Sequence, residues 1–315
     1  MKGLLFSELN LLPKVQRAVD EMGYETATDI QSQVIPLIRT GVDVIGRSQT
    51  GTGKTAAFVI PAIERIDTHE DKPTLQVLIL CPTRELAQQV HGEIEKLAKF
   101  KTGIHAVAIY GGAPMEPQIS RLKRANIVVG TPGRIMDHMR RRTLKLHNLQ
   151  MVVLDEADEM LSMGFHEDIE SILDQAPTQR QTILFSATMP PAILELAKNI
   201  QSDPRLVEIN KSQITLTQIK QTFVEVPIGR KMDALQLLLR YYQPRLALIF
   251  CNTKKMVDEI VDELGTGGFD VVGLHGDMRQ EQRTSVMRGF KSGKTAILVA
   301  TDVAEKRMVW RCVGA

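Results

Sequence analysis

The succession of an apolar run, a glycine-rich turn and a helical pattern constrains this chain more than any other feature. Val42-Asp43-Val44-Ile45 reads as a strand, Thr50-Gly51-Thr52-Gly53-Lys54-Thr55 as the turn, and Thr55 to Ile66 as the helix. Such a turn turns backbone N–H groups toward phosphate oxygens, while its lysine meets their charge and its threonine hydroxyl meets Mg²⁺. A second apolar run, Met151-Val152-Val153-Leu154, closes on Asp155-Glu156-Ala157-Asp158. Octahedral Mg²⁺ keeps most of its waters, so one carboxylate suffices to orient it and the neighbouring one is left to act on an attacking water. Together the two runs point to chemistry on a metal-bound nucleotide phosphate.

Further strand-like runs follow the same plan: Leu75 to Cys81, His105 to Tyr110, Ile127 to Val129 and Thr182 to Phe185. Helix-period segments, among them Arg84 to Phe100 and Ile193 to Ile200, alternate with them, as in a parallel doubly wound α/β sheet. Functional loops are then expected at the carboxyl ends of the strands. After the run Leu206 to Ile209, the polar stretch Asn210 to Gln218 lacks an apolar stripe and reads as a linker. A second series follows, with strand-like Leu246 to Cys251, Val271 to Leu274 and Ala296 to Thr301, and helical Lys254 to Leu264 and Gln280 to Phe290. The expected domains are residues 1–209, a linker at 210–218, and 219–315.

With 315 residues, 43% of them hydrophobic, the chain can bury two cores. Its 39 basic and 37 acidic residues nearly cancel, so any site for a polyanion must be local. The basic run Arg140-Arg141-Arg142 reads as a solvated helix end. Cys81, Cys251 and Cys312 have no paired spacing, and the first two sit in apolar runs, which fits a reducing cytoplasm. Glu8 breaks the apolar stretch between Met1 and Val15, so neither a signal peptide nor a membrane partner is expected.

The loop Ser48-Gln49-Thr50-Gly51-Thr52-Gly53-Lys54-Thr55, with Ser48 where a strict phosphate loop has glycine, and the box Asp155 to Asp158 together resemble the DEAD-box family of ATP-dependent RNA helicases. The family's name spells those four residues. Gly23-Tyr24 to Gln31 resembles its adenine-reading segment, with Phe6 as the upstream aromatic and Ala27 and Asp29 replacing the usual prolines. An amide suits that task, because Gln31 carries a donor and an acceptor side by side and can pair with N6 and N7 of adenine. Pro82-Thr83-Arg84-Glu85-Leu86-Ala87, Gly111-Gly112 and Thr131-Pro132-Gly133-Arg134 match segments that hold the RNA backbone. Hydroxyls, helix-start N–H groups and arginine grip phosphate without reading bases, so little sequence preference is implied. Ser186-Ala187-Thr188 resembles the coupling motif, whose hydroxyls bond the last aspartate of the box, here Asp158.

In the second series Ile249 to Thr253, His275-Gly276-Asp277, Gln280 to Arg283 and Val299 to Ala304 also match. Thr253, Gln280, Arg283 and Thr301 are implied to face RNA or the seam between lobes. The resemblance implies two RecA-like doubly wound lobes, the second incomplete. After Ala304 the pattern breaks: Glu305-Lys306-Arg307-Met308-Val309 stands where Ala-Arg-Gly, an aliphatic residue and Asp are expected. The family's later paired arginines are not matched, and arginine fingers are worth about 10³ to 10⁵ in kcat for phosphoryl transfer. A frameshifted or truncated product that binds but hydrolyses poorly is therefore the alternative expectation.

The resemblance implies an ATPase that clamps RNA between its lobes and opens short duplexes, with ATP and Mg²⁺ as cofactors. In that reading Phe6, Tyr24, Gln31 and residues 48–55 bind ATP, and Lys54 meets the phosphates. Thr55 and Asp155 orient the metal, and Glu156 polarises the water. Asp158, Ser186 and Thr188 couple that event to RNA held by Thr83, Arg84, Gly112, Thr131 and Arg134. A DNA translocase is a weaker reading, since preference for RNA rests on 2′-hydroxyl contacts. No particular RNA and no protein partner is indicated.

Overall fold

A computed structural model describes residues 4–49, 51–68, 74–209 and 222–301. Thr50, the expected linker, and everything after Thr301, including Cys312 and the break in the family pattern, lie outside them. The described residues fall into two compact units, 4–209 and 222–301.

The first unit opens with helices α1 (Pro13–Glu21) and α2 (Asp29–Arg39). The strands are β1 (Val44–Arg47), β2 (Val77–Leu80), β3 (Ala106–Ile109), β4 (Ile127–Gly130), β5 (Met151–Leu154), β6 (Gln181–Ser186) and β7 (Arg205–Glu208). Between them run α3 (Lys54–Arg65), α4 (Arg84–Leu97), α5 (Met115–Leu122), α6 (Pro132–Arg140), α7 (Ala157–Ser162), α8 (His166–Leu173) and α9 (Pro191–Ile200). All neighbouring strands pair in parallel, in the order β3-β4-β2-β5-β6-β1-β7. The chain winds from β1 outward to β3, then back across to β7. This reversal puts α3 and α4 on one face and α5 to α9 on the other, because parallel crossovers keep one hand.

Period-two alternation supplies both faces. Val77, Ile79, Val129, Val153 and Phe185 enter the core under α1 to α4, while Leu78, Leu80, Val128, Val152 and Leu184 enter the core under α6, α8 and α9. Strands buried on both sides read as unbroken apolar runs, which is why they were legible in the sequence. Gly46 is the exception that packing demands: a Cβ there would lie 2.3 Å from the Phe185 ring.

The second unit holds α10 (Lys231–Tyr242), β8 (Ala247–Cys251), α11 (Lys254–Thr266), β9 (Val271–Leu274), α12 (Gln280–Lys291) and β10 (Ile297–Thr301). Its strands are parallel in the order β8-β10-β9. Cys81 and Cys251 are buried, and neither is in a disulfide among the described residues. Arg140, Arg141 and Arg142 are exposed at the end of α6, as expected of a solvated helix end. Among the described residues no helix is long and apolar enough to cross a membrane.

Candidate functional site

Parallel pairing brings the carboxyl ends of β1 to β6 to one edge, and the loops singled out in the sequence gather there. The glycine loop leaves β1, and the Ser48 amide donates to the carbonyl of Ser186 at the end of β6, 3.1 Å away. Gly51 and Gly53 have φ of 79° and 91°, a region that glycine enters without strain. Gly53 opens α3, whose free N–H groups and dipole favour an anion. Thr52 Oγ1 donates to the Gln49 carbonyl at 2.9 Å and meets Ser48 Oγ, which fixes the loop internally. Lys54 is 6% exposed, and its Nζ donates to the Ser48 carbonyl at 3.1 Å, folded back along the loop.

Gln31 sits beside that loop. Its Oε1 accepts from the Thr28 amide at 2.8 Å, completing a capping box at the start of α2, and its Nε2 donates to the Gly53 carbonyl at 3.1 Å. A Cβ on Gly53 would lie 2.5 Å from Gln31 Nε2. Phe6 is 2% exposed, and its ring stacks on Tyr24 with centroids 5.8 Å apart. Tyr24 in turn donates to Glu93 on α4 at 2.8 Å. In this conformation the aromatic contact expected for adenine is made inside the protein, because the Phe6 ring belongs to the core under α1 to α4.

At the end of β5, Asp155 is 2% exposed and its Oδ1 is buried with no hydrogen-bond partner. Burial raises its pKa, and the Lys54 ammonium pulls the other way. Glu156 takes a left-handed backbone, φ 54° and ψ 52°, and caps α7. Burial and then the adjacent Asp155 push its carboxyl up to about 7. Asp158 behaves oppositely. Burial alone would raise it, but hydrogen bonds from the Thr188 hydroxyl and the amides of Thr188 and Ala187 outweigh that and hold it low. Thr188 contributes its amide at 2.9 Å and its hydroxyl at 2.8 Å to Oδ2. Ser186 Oγ donates to the Thr188 carbonyl at 2.6 Å, so its one proton braces the turn and Thr188 makes the firmer contact with Asp158. Cys81, buried behind the box, has its thiol pushed well up by burial and by Asp155 and Glu156.

The other half of the edge, β3-β4-β2, carries the loops expected to hold a phosphate backbone. Thr83 caps α4, accepting from the Leu86 amide at 3.2 Å, with its hydroxyl proton still to donate. Arg84 lies over the Tyr110 ring at 5.6 Å and against Gly112, whose φ is 75°. A Cβ on Gly112 would lie 2.2 Å from Arg84 Nη2. Thr131 caps α6 with its side chain unspent, and Arg134 donates to the Ala113 carbonyl at 3.0 Å. The residue that sequence reasoning missed is Gln118. It is 7% exposed on α5, and its amide nitrogen reaches the carbonyls of Tyr110, Ala113 and Pro114 at 3.2–3.5 Å. A glutamine on a short polar helix carries no spacing signal; only the fold turns it under the Gly111-Gly112 loop.

In the second unit, Thr253 follows β8, His275 to Asp277 follow β9, and Thr301 ends β10, 7% exposed. Thr253 caps α11 through the Met256 amide at 3.2 Å, and Lys254 pairs with Asp277. Arg283 lies on α12, which Gln280 begins; the Gln280 side chain lies outside the described residues.

The pattern of the DEAD/DEAH box helicase family matches residues 28–196, more than half of the chain. The chain belongs to the DEAD/DEAH box helicase family. The helicase conserved C-terminal domain matches residues 230–306. A DEAD-box ATP-dependent RNA helicase, CshA, of Bacillus cereus is 47% identical over 96% of this chain and 57% of its own length. The CshA of Listeria monocytogenes is 49% identical over 96% of the chain and 58% of its own. The chain thus spans a little over half the length of these relatives. Among solved structures, S. cerevisiae Dbp5 bound to RNA and ADP BeF3 is 30% identical with a TM-score of 0.84, covering 96% of this chain and 76% of that one. A DEAD box protein from Methanococcus jannaschii is 43% identical with a TM-score of 0.64, covering 98% and 83%.

The DEAD-box site suits Mg²⁺ by its chemistry. Among the described residues no group of three or more histidine, cysteine, aspartate or glutamate side chains could hold a metal. An ion held mainly by nucleotide phosphate and water needs no such cage, only a threonine hydroxyl and a carboxylate oxygen with a lone pair to spare. Thr55, in the first turn of α3, and the unpartnered Asp155 Oδ1 meet that need.

Proposed function

We propose that this chain works as an RNA-stimulated ATPase that clamps RNA and opens short duplexes, with residues 1–209 as its ATP-binding domain, 210–218 as linker and a second domain from 219. The observation that carries this reading is the acidic box, where one strand end holds an orphaned carboxylate oxygen, a carboxyl near 7 and a hydrogen-bonded carboxylate within four residues. Gln31 reads adenine while holding the phosphate loop. Lys54 exchanges the Ser48 carbonyl for phosphate oxygen, and Thr55 and Asp155 hold Mg²⁺. The metal, when bound, neutralises charge on the phosphates.

Glu156, close to half ionised near neutrality, orients the attacking water and accepts its proton. Thr188 and Ser186 transmit the change through Asp158, whose hydrogen bonds tie the ends of β5 and β6. Thr83, Arg84, Gly112, Thr131 and Arg134 grip RNA phosphates on the other half of the same edge, with Thr253, Gln280, Arg283 and Thr301 completing the grip from the second domain. A cytoplasmic setting agrees with Cys81 and Cys251 being buried and outside any disulfide among the described residues.

A second reading, a chain that binds ATP and RNA but hydrolyses poorly, is favoured by the departure from the family pattern at Glu305-Lys306-Arg307. Steady-state ATP hydrolysis with and without single-stranded RNA, beside Lys54→Ala and Glu156→Gln, decides between them. RNA-stimulated turnover lost in both variants supports the enzyme, and three indistinguishable rates leave the binding chain. Equal stimulation by single-stranded DNA would favour a DNA translocase.

A further inference from the structure

Residues 121–147 contain eight lysines and arginines and a single acid, Asp137, in a chain whose net charge is only +2. The fold concentrates them. α5 and α6 meet where His138 Nε2 reaches Gln118 Oε1 at 3.5 Å, and both run toward the amino-terminal ends of the strands. One turn past that contact, Arg121, Lys123 and Arg124 end α5, and Arg140, Arg141 and Arg142 end α6, all exposed. Among the described residues only Arg140 of these six has an ion-pair partner, Asp137 at 4.0 Å.

A helix dipole accounts for a cation or two per helix end, not for six with one weak partner between them. Two exposed cations elsewhere on this unit, Lys99 and Arg47, pair closely with Glu21 and Glu208. Arg142 even holds a left-handed φ of 56°, a place where glycine would cost less. The field reaches inward, since burial first and then Arg134 and Arg141 lower the His138 pKa against the pull of Asp137.

We propose that these two helix ends form a second RNA-binding face, on the sheet edge opposite the proposed clamp, that grips the phosphate backbone of a duplex or folded segment flanking the clamped strand. Residues 121–147 contain no Phe, Tyr or Trp, so the face offers no ring on which single-stranded bases could stack. Charge without stacking suits phosphates held in a fixed double-helical array. The proposal goes beyond the ATPase reading and is tested without ATP, so the two can fail separately.

The experiment measures binding of the whole chain to a short single strand and to the same strand joined to a hairpin, over a range of salt. Arg121→Glu with Arg124→Glu and Arg141→Glu is compared with Lys14→Glu, Lys198→Glu and Arg205→Glu, exposed cations elsewhere on the same unit. The first triple variant is expected to lose about a hundredfold in affinity for the hairpin-joined strand near ~0.1 M salt, with a salt slope shallower by about 2 to 3. Affinity for the short strand is expected to hold within the change seen for the control triple. Unchanged hairpin binding, or an equal loss in the control triple, overturns the proposal. Vesicles of phosphatidylserine in phosphatidylcholine provide a third probe, and binding to them in place of hairpin RNA also overturns it. Should the glutamate triple fail to fold, the corresponding glutamine triple carries the test, with about a tenfold loss expected from charge removal alone.

Discussion

The two halves of the first unit's functional edge are built on opposite principles. On the β5-β6-β1 half, polar groups are left under tension: Asp155 Oδ1 is buried without a partner, Glu156 is pushed to about 7, and Lys54 makes do with a backbone carbonyl. On the β3-β4-β2 half, most of the groups are already bonded within the protein: Thr83 caps α4, Arg134 Nη1 and Gln118 hold carbonyls beside Gly111-Gly112, and Arg84 rests on Tyr110, with Arg134 Nε the one buried atom there that lacks a hydrogen-bond partner among the described residues. Under the proposed function, the groups that react are the perturbed ones and the groups that hold a shape are the internally bonded ones. Perturbed groups answer to pH and charge; satisfied ones answer to geometry.

Substitutions on the perturbed half should have the largest effects. Glu156→Gln is expected to lower RNA-stimulated hydrolysis by about 10² to 10⁴ while ATP binding survives, because a positioned general base is worth that much. Retained turnover would place the base elsewhere. The same carboxyl sets a pH dependence. As a base it works ionised, so hydrolysis should rise as pH climbs through about 7, and Glu156→Gln should remove that limb of the profile.

Stability runs the other way. The folded pKa lies above the unfolded 4.5, so the native state binds more protons between the two values and stability falls as pH rises through that window. Glu156→Gln should therefore raise Tm more at pH 8 than at pH 5. An equal gain at both would mean that the carboxyl is not perturbed.

On the satisfied half, Gln118→Leu is expected to weaken RNA binding by about tenfold, the loss of one or two loop-fixing hydrogen bonds, with ATP affinity unmoved. A matching loss of ATP affinity would show that the halves are not separable. Gly112→Ala meets both a positive φ and the Arg84 guanidinium, and about 1 to 2 kcal/mol of stability should go with it in denaturant titrations. The smallest effect is expected from Thr83→Val, which removes a cap and costs about 1 kcal/mol.

How much of this was readable beforehand follows the same division. The strands were legible because burial on both faces leaves an unbroken apolar run, and Met151–Leu154 and Val271–Leu274 fall where the sequence put them. The Asp158–Thr188 contact stands where the family resemblance implied it. Three things were not legible in the sequence. Gln118 acts across a fold-dependent gap between α5 and the loop before it. The left-handed backbone at Glu156 has no glycine to announce it. The stack of Phe6 on Tyr24 has no spacing in the sequence that announces it. The basic stretch 140–142 was read correctly as exposed, but its partner stretch at 121–124 becomes its neighbour only through the contact of Gln118 with His138.

The buried thiol behind the acidic box gives the chain a built-in clock. With Cys81 fully covered and its ionisation suppressed by burial and then by the same two carboxylates, alkylating reagents reach it only through local opening of the structure around the end of β2, which pairs with β5. Its labelling rate therefore measures how often the boundary between the two halves breathes, and any ligand that locks one half to the other should slow that clock without touching the sulfur.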